Sequence, residues 1–172
     1  VPLGVSKGSD SCARKYNVAL LHFLLPDIQP TAVGSVVLTF ELTQVVGGGI
    51  DAVLYGLGER GATEGEALGN QSAADFYAGL DDSAPGTTLI SSSIIPAGSV
   101  TSVPTSIEHR SVELSEYIRS VLASGGGGRY VTLRLSGASY LGCDTSCGDG
   151  CLIRRYRLSG SSVVLSVGEL LG

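Results

Sequence analysis

Apolar and polar residues alternate with a period of two over several stretches of the chain. In Val36–Val45, Leu38, Phe40 and Leu42 fall on one side while Thr39, Glu41 and Thr43 fall on the other, the pattern of a strand with one buried face. Tyr130–Ser136 repeats it, with Val131, Leu133 and Leu135 set against Thr132 and Arg134. Val163, Leu165 and Val167 do the same near the C-terminal end, and Ile50–Tyr55 and Val18–Leu25 read as further strands, the second buried on both faces. Turn-forming residues separate these runs at Pro26–Pro30, Gly47–Gly49, Asp81–Gly86 and Gly125–Gly128. Strands of this length between glycine-rich turns predict an all-β fold, a jelly-roll-like antiparallel β-sandwich.

Two passages depart from the alternation. Leu114, Ile118, Val121 and Leu122 share a helical face, with Ser115 as the expected N-cap, Glu116 in the first turn and Gly125 as the stop. One short helix is therefore expected. Gly58–Pro85 shows no regular period and carries Glu59, Glu64, Glu66, Asp75, Asp81 and Asp82, so it reads as a long loop of the kind that often binds ligands. No repeat or linker divides the chain, and residues 1–172 are expected to form a single domain.

Charge narrows the partners. Only 16% of residues are charged and the formal net charge is -5, which argues against nucleic acid, since phosphate neutralisation needs a basic face. The run Val18–Leu25 is interrupted by His22 and is too short to span a bilayer. There is no Met and Val1 leads directly into strand-like sequence, the expectation for a mature secreted chain whose targeting peptide is gone. Cys12, Cys143, Cys147 and Cys151 form an even set, which predicts two disulfides and an oxidising, extracellular setting. Three connectivities fit; one bridge from Cys12 to the 143–151 cluster and one bridge within it is the expected arrangement.

Catalytic and ligand motifs do not assemble well. Gly4-Val5-Ser6-Lys7-Gly8 matches the serine-hydrolase string, but only three residues precede Gly4 and the nucleophile elbow needs a full strand there. Gly56-Leu57-Gly58-Glu59-Arg60-Gly61 matches a dinucleotide fingerprint, yet the helix it requires would contain Gly65 and Gly69. A strand running into a glycine-rich turn is the simpler expectation. His22 reads as a packed strand residue and His109 as a solvated one, and neither has a nucleophile nearby in sequence. The tight Cys143–Cys151 spacing suits zinc less well than disulfides, because no histidine is near and Cys12 would have to be the fourth ligand. Asp144 and Asp149, or the acids of the Gly58–Asp82 stretch, are oxygen donors for calcium, though without the spacing of a calcium hand. Asn70-Gln71-Ser72 is a sequon for N-glycosylation, and Thr87–Ser106 is rich in hydroxyls that O-linked sugars use. The chain is therefore expected not to be an enzyme and to need no cofactor.

Arg14–Pro26, an arginine followed by an apolar strand and Leu-Pro, is followed by the strand Val36–Leu42. Val112–Leu122 then leads to the strand Val131–Leu135, and Arg155-Tyr156-Arg157 precedes Val163–Val167. This order resembles the DNRLRE-type β-sandwich modules of secreted bacterial proteins, some of which bind carbohydrate. The resemblance implies a sandwich fold and a polysaccharide partner. Two departures qualify it: the strand that precedes the segment like Val1–Val5 in that family has no counterpart here, and there is no Trp to form a sugar platform. Tyr55, Phe76, Tyr77 and Tyr140 are the remaining candidate sugar contacts. A sandwich short of one strand would leave an open edge that a neighbouring copy could fill. The leading expectation is thus an extracellular structural subunit that self-assembles by strand donation. Val163, Leu165 and Val167, or Val1–Val5, would supply the donor. A carbohydrate-binding or adhesive module is the alternative.

Overall fold

The computed structural model describes residues 2–7, 14–49, 51–72, 75, 87–137 and 155–170, with the side chains of 2–7, 14–17 and 155 left aside. The strands are β1 (Pro2–Lys7), β2 (Arg14–Asn17), β3 (Ala19–Leu24), β4 (Val33–Val46), β5 (Ala52–Gly61), β6 (Thr88–Ile95), β7 (Thr105–Arg110), β8 (Tyr130–Gly137), β9 (Arg155–Leu158) and β10 (Val164–Glu169). They form two antiparallel sheets, an all-β sandwich. The six-stranded sheet runs β10-β4-β9-β1-β2, with β7 on the other side of β4, and the four-stranded sheet runs β3-β8-β5-β6.

β4 is the spine of the first sheet because its alternation is the longest in the chain. Val36, Leu38, Phe40 and Leu42 are all fully enclosed. They face Leu21, Leu54, Leu133 and Leu135 of the second sheet in one apolar core. Aligned sheets pack about 10 Å apart, so side chains of this size fill the gap from both sides. β9 and β10 lie along one side of β4, Leu158 opposite Leu42 and Val164 opposite Thr39, while β7 pairs along the other with Ile107 opposite Phe40. Of the segment expected to reach into a neighbour, Val164–Val167 is paired with β4 of its own chain and Val163 packs against the core, while β1 pairs with β2 and β9. Of the other expected donor, Val1–Val5, the described residues Pro2–Val5 also lie within this sheet, and Val1 is outside the described residues.

The helix is where the prediction needed correction. Its N-cap is Ser111, whose hydroxyl accepts from Leu114 N at 3.1 Å, and α2 spans Val112–Val121. Ser115, the expected cap, is instead a buried residue of the helix. Its hydroxyl accepts from Val36 N and donates to Ser111 O, each at 3.1 Å. Both serines precede acidic residues, so local sequence favours either; the bond to β4 is the tertiary contact that selects Ser111. Arg119 ties the helix to the start of β4 by donating to the carbonyls of Val33 and Gly34. A wide turn at Leu122–Gly126 ends it, with Gly125 at φ +89° as expected of a stop glycine. His109 also differs from its expected solvated state: it is half-buried on β7, with Nε2 making no hydrogen bond among the described residues. No helix among the described residues is long and apolar enough to cross a membrane.

Candidate functional site

The four-stranded sheet has a second covered face. On β8, Val131, Leu133 and Leu135 point to the core, so Thr132, Arg134 and Ser136 point away, and these three are buried as well. Cross-strand register sets Leu20, Arg134, Tyr55 and Leu89 in one row across β3, β8, β5 and β6. The Arg134 guanidinium lies 4.8 Å from the centroid of the Tyr55 ring, a cation–π stack. Beside this row, His22 Nδ1 is 2.7 Å from Thr132 Oγ1, and its Nε2 is 2.9 Å from the Gln71 side-chain nitrogen. That is the arrangement of a neutral imidazole donating from Nδ1 and accepting at Nε2. Burial holds the His22 pKa below 6.5, with Arg60 lowering it further against the opposing pull of Glu64 and Asp75.

Asp75 sits against this face. One carboxylate oxygen is 2.6 Å from Arg60 Nη2 and the other accepts from Ser72 N at 2.7 Å. Its carbonyl accepts from Arg134 Nη1 at 3.3 Å. The described part of the stretch expected to be an irregular loop after Gly58 contains a second short helix that the glycines obscured. Helix α1 spans Glu64–Gly69 and opens with a capping box, Glu66 N donating to Thr63 Oγ1 at 3.2 Å while Glu66 Oε2 accepts from Thr63 N at 3.3 Å. Glu66 Oε2 also accepts from Ala62 N at 2.7 Å. Gly61 (φ +148°) permits this return, since a Cβ there would strike Glu66.

Folding α1 back on the end of β5 creates an open cleft of about 570 Å³ lined by Glu59, Arg60, Gly61, Glu66, Asn70 and Arg129. Its walls are held by one another. Arg129 Nε donates to Glu59 Oε1 at 2.7 Å, Asn70 Nδ2 donates to Arg60 O at 2.7 Å, and Arg60 Nη1 reaches Asn70 O at 3.4 Å. Arg129 comes from the turn before β8 and meets Glu59 because Glu59 pairs with Val131. The cleft therefore offers two guanidiniums, two carboxylates and an amide in fixed orientations, and Arg129 is 42% exposed within it.

Of the residues singled out in the sequence, Asn70 is exposed at the end of α1 and forms one wall of the cleft. Tyr55 lies against Arg134 and does not line it. Phe76, Tyr77, Tyr140, Asp144, Asp149 and the four cysteines fall outside the described residues. Among the described residues no three acidic, histidine or cysteine groups converge as metal ligands. The GxSxG string does not form an elbow at Ser6, which pairs with Lys15 inside continuous strand β1. The GxGxxG string lies wholly within β5, where it was expected to run into a turn; α1 does follow, with Gly65 and Gly69 inside it, but Glu66 already takes the N–H groups of Ala62 and Thr63. The glycines mark bulges against β8, with Gly58 at φ +84°. Fold and cleft define an all-β sandwich with an open polar cleft at one end of its smaller sheet. No family model, no curated protein and no solved structure matches the chain.

Proposed function

We propose that the chain is a non-catalytic extracellular module that binds carbohydrate in the cleft between β5, α1 and Arg129. The observation that carries this reading is the cleft's preformed polar wall. Sugar hydroxyls both donate and accept, and planar guanidinium, carboxylate and amide groups each engage two neighbouring oxygens at once. Groups already fixed by mutual hydrogen bonds lose little freedom when a ligand arrives. The cleft's volume of about 570 Å³ suits a small ligand or a short stretch of a chain. Glu59 is committed to Arg129 and Glu66 to the start of α1, which suits a binding wall better than an acid–base pair. The resemblance to DNRLRE-type modules points the same way, and the extracellular setting rests on the cysteine pattern. Pro2–Val5 and Val164–Val167 pair within their own chain, which supports this reading over strand donation.

Affinity electrophoresis against a panel of neutral and charged polysaccharides tests the reading. At least one polysaccharide should retard the protein, and Arg129→Ala should weaken that retardation at least tenfold while leaving thermal unfolding unchanged. Retardation that survives Arg129→Ala, or none across the panel, would overturn it.

A further inference from the structure

Among the described residues the six-stranded sheet has three free edges: β2, β7 and the outer side of β10. β2 carries Arg14 and Lys15, and β7 carries Glu108, His109 and Arg110, charges of the kind that keep an edge from pairing with another chain. The β10 edge is different. From Val163 to Gly168 it has no charged residue. Leu165 and Val167 pack against the core yet are only partly buried, whereas Leu38 and Val36 opposite them on β4 are fully enclosed. Val164, on the other face, is 51% exposed. Among the described residues the core is left open along this edge, and one added strand would complete it.

We propose that the β10 edge is the pairing strand for a second copy of this chain. The segment is self-complementary. Antiparallel pairing about a two-fold axis through Leu165 sets Leu165 against its own counterpart, Val163 against the other copy's Val167, and Val164 against the other copy's Ser166. Inward-facing apolar residues then extend both cores, and no like charges meet. The register shift between Val167 and Glu169 ends the regular ladder, which confines the pairing to Val163–Val167. A contact of this size belongs to the weak, concentration-dependent class. It is isologous and closes at two copies, so it makes a dimer and not the filament that donation would make. The dimer carries two clefts on one body and would hold a repeating ligand more tightly than one cleft does. The pairing itself does not depend on what the cleft binds.

Sedimentation velocity over a concentration series reads the result directly. The mass should rise from 17.5 kDa toward that of two copies. Val164→Lys and Ser166→Glu should each hold the chain at monomer mass. The double variant should recover the dimer, because in this register each lysine faces the other copy's glutamate. Val112→Lys, a charge placed on an exposed valine of α2, should change nothing. Amide exchange along β10 in the unmodified chain should slow as concentration rises, a readout independent of how the variants fold. A single monomer mass at the highest concentration, growth beyond two copies, or a folded double variant that stays monomeric would each overturn the proposal.

Discussion

Toward the six-stranded sheet, β8 presents Val131, Leu133 and Leu135; away from it, the same strand presents Thr132, Arg134 and Ser136. All six are buried, by opposite means. The inner three are enclosed by apolar neighbours, and their contribution scales with the area and volume they fill. Among the outer groups, Arg134 stacks on Tyr55 and bonds the Asp75 carbonyl, and Thr132 bonds His22. Apolar burial degrades gradually when one group is trimmed. A buried polar network is less forgiving, because removing one member strands its partners without water.

The largest effect should come from the inner face. Leu133→Ala removes a fully enclosed side chain and should cost about 3–4 kcal/mol, read by chemical denaturation. A loss below about 1 kcal/mol would mean that the two sheets do not pack as described. Asp75→Ala comes next, at about 2 kcal/mol, because it removes the partner of Arg60 and the acceptor for Ser72 N. Arg60 is partly exposed at 22%, so water relieves some of the loss, and the value stays below the inner-face one. In a double-mutant cycle, Arg60→Ala and Asp75→Ala should be clearly non-additive, and additive losses would show that the network is not a unit.

The smallest effect is on pH. The pKa values of His22 and His109 are held below 6.5, first by burial in both cases. The unfolded chain therefore takes up protons at a higher pH than the folded one. Their contribution is fully present above about 6.5 and declines as pH falls below it, before the carboxylates titrate. Unfolding measured from pH 7.5 to 5.5 should show this decline, and His22→Gln should flatten part of it. A flat profile in the unmodified chain would contradict the described burial of both imidazoles.

The strands visible in the sequence are those whose alternation is apolar and long. β4, β8 and the start of β5 carry it; β7 does not, since Ile107 is its lone large aliphatic residue, and it becomes a strand by pairing with β4. α1 was hidden because Gly65 and Gly69 weaken intrinsic helix propensity, while its capping box and the buried Ala67 supply the compensating contacts. Glu59 and Glu66 were visible only as acids in a loop, and Arg129 carried no signal at all.

By itself the sequence determined the architecture, because period-two burial is a local property: each residue's polarity states which face it belongs to. It also marked the alternating apolar residues of β4 and β8 that fill the core between the sheets. The tertiary structure alone decided which serine caps α2 and that the C-terminal strand is paired at home. It alone decided, too, that Glu59 meets Arg129 seventy residues away. Those outcomes depend on strand register, which is settled by the collective fit of both sheets and by bulges at particular glycines, and no short stretch of residues contains that information.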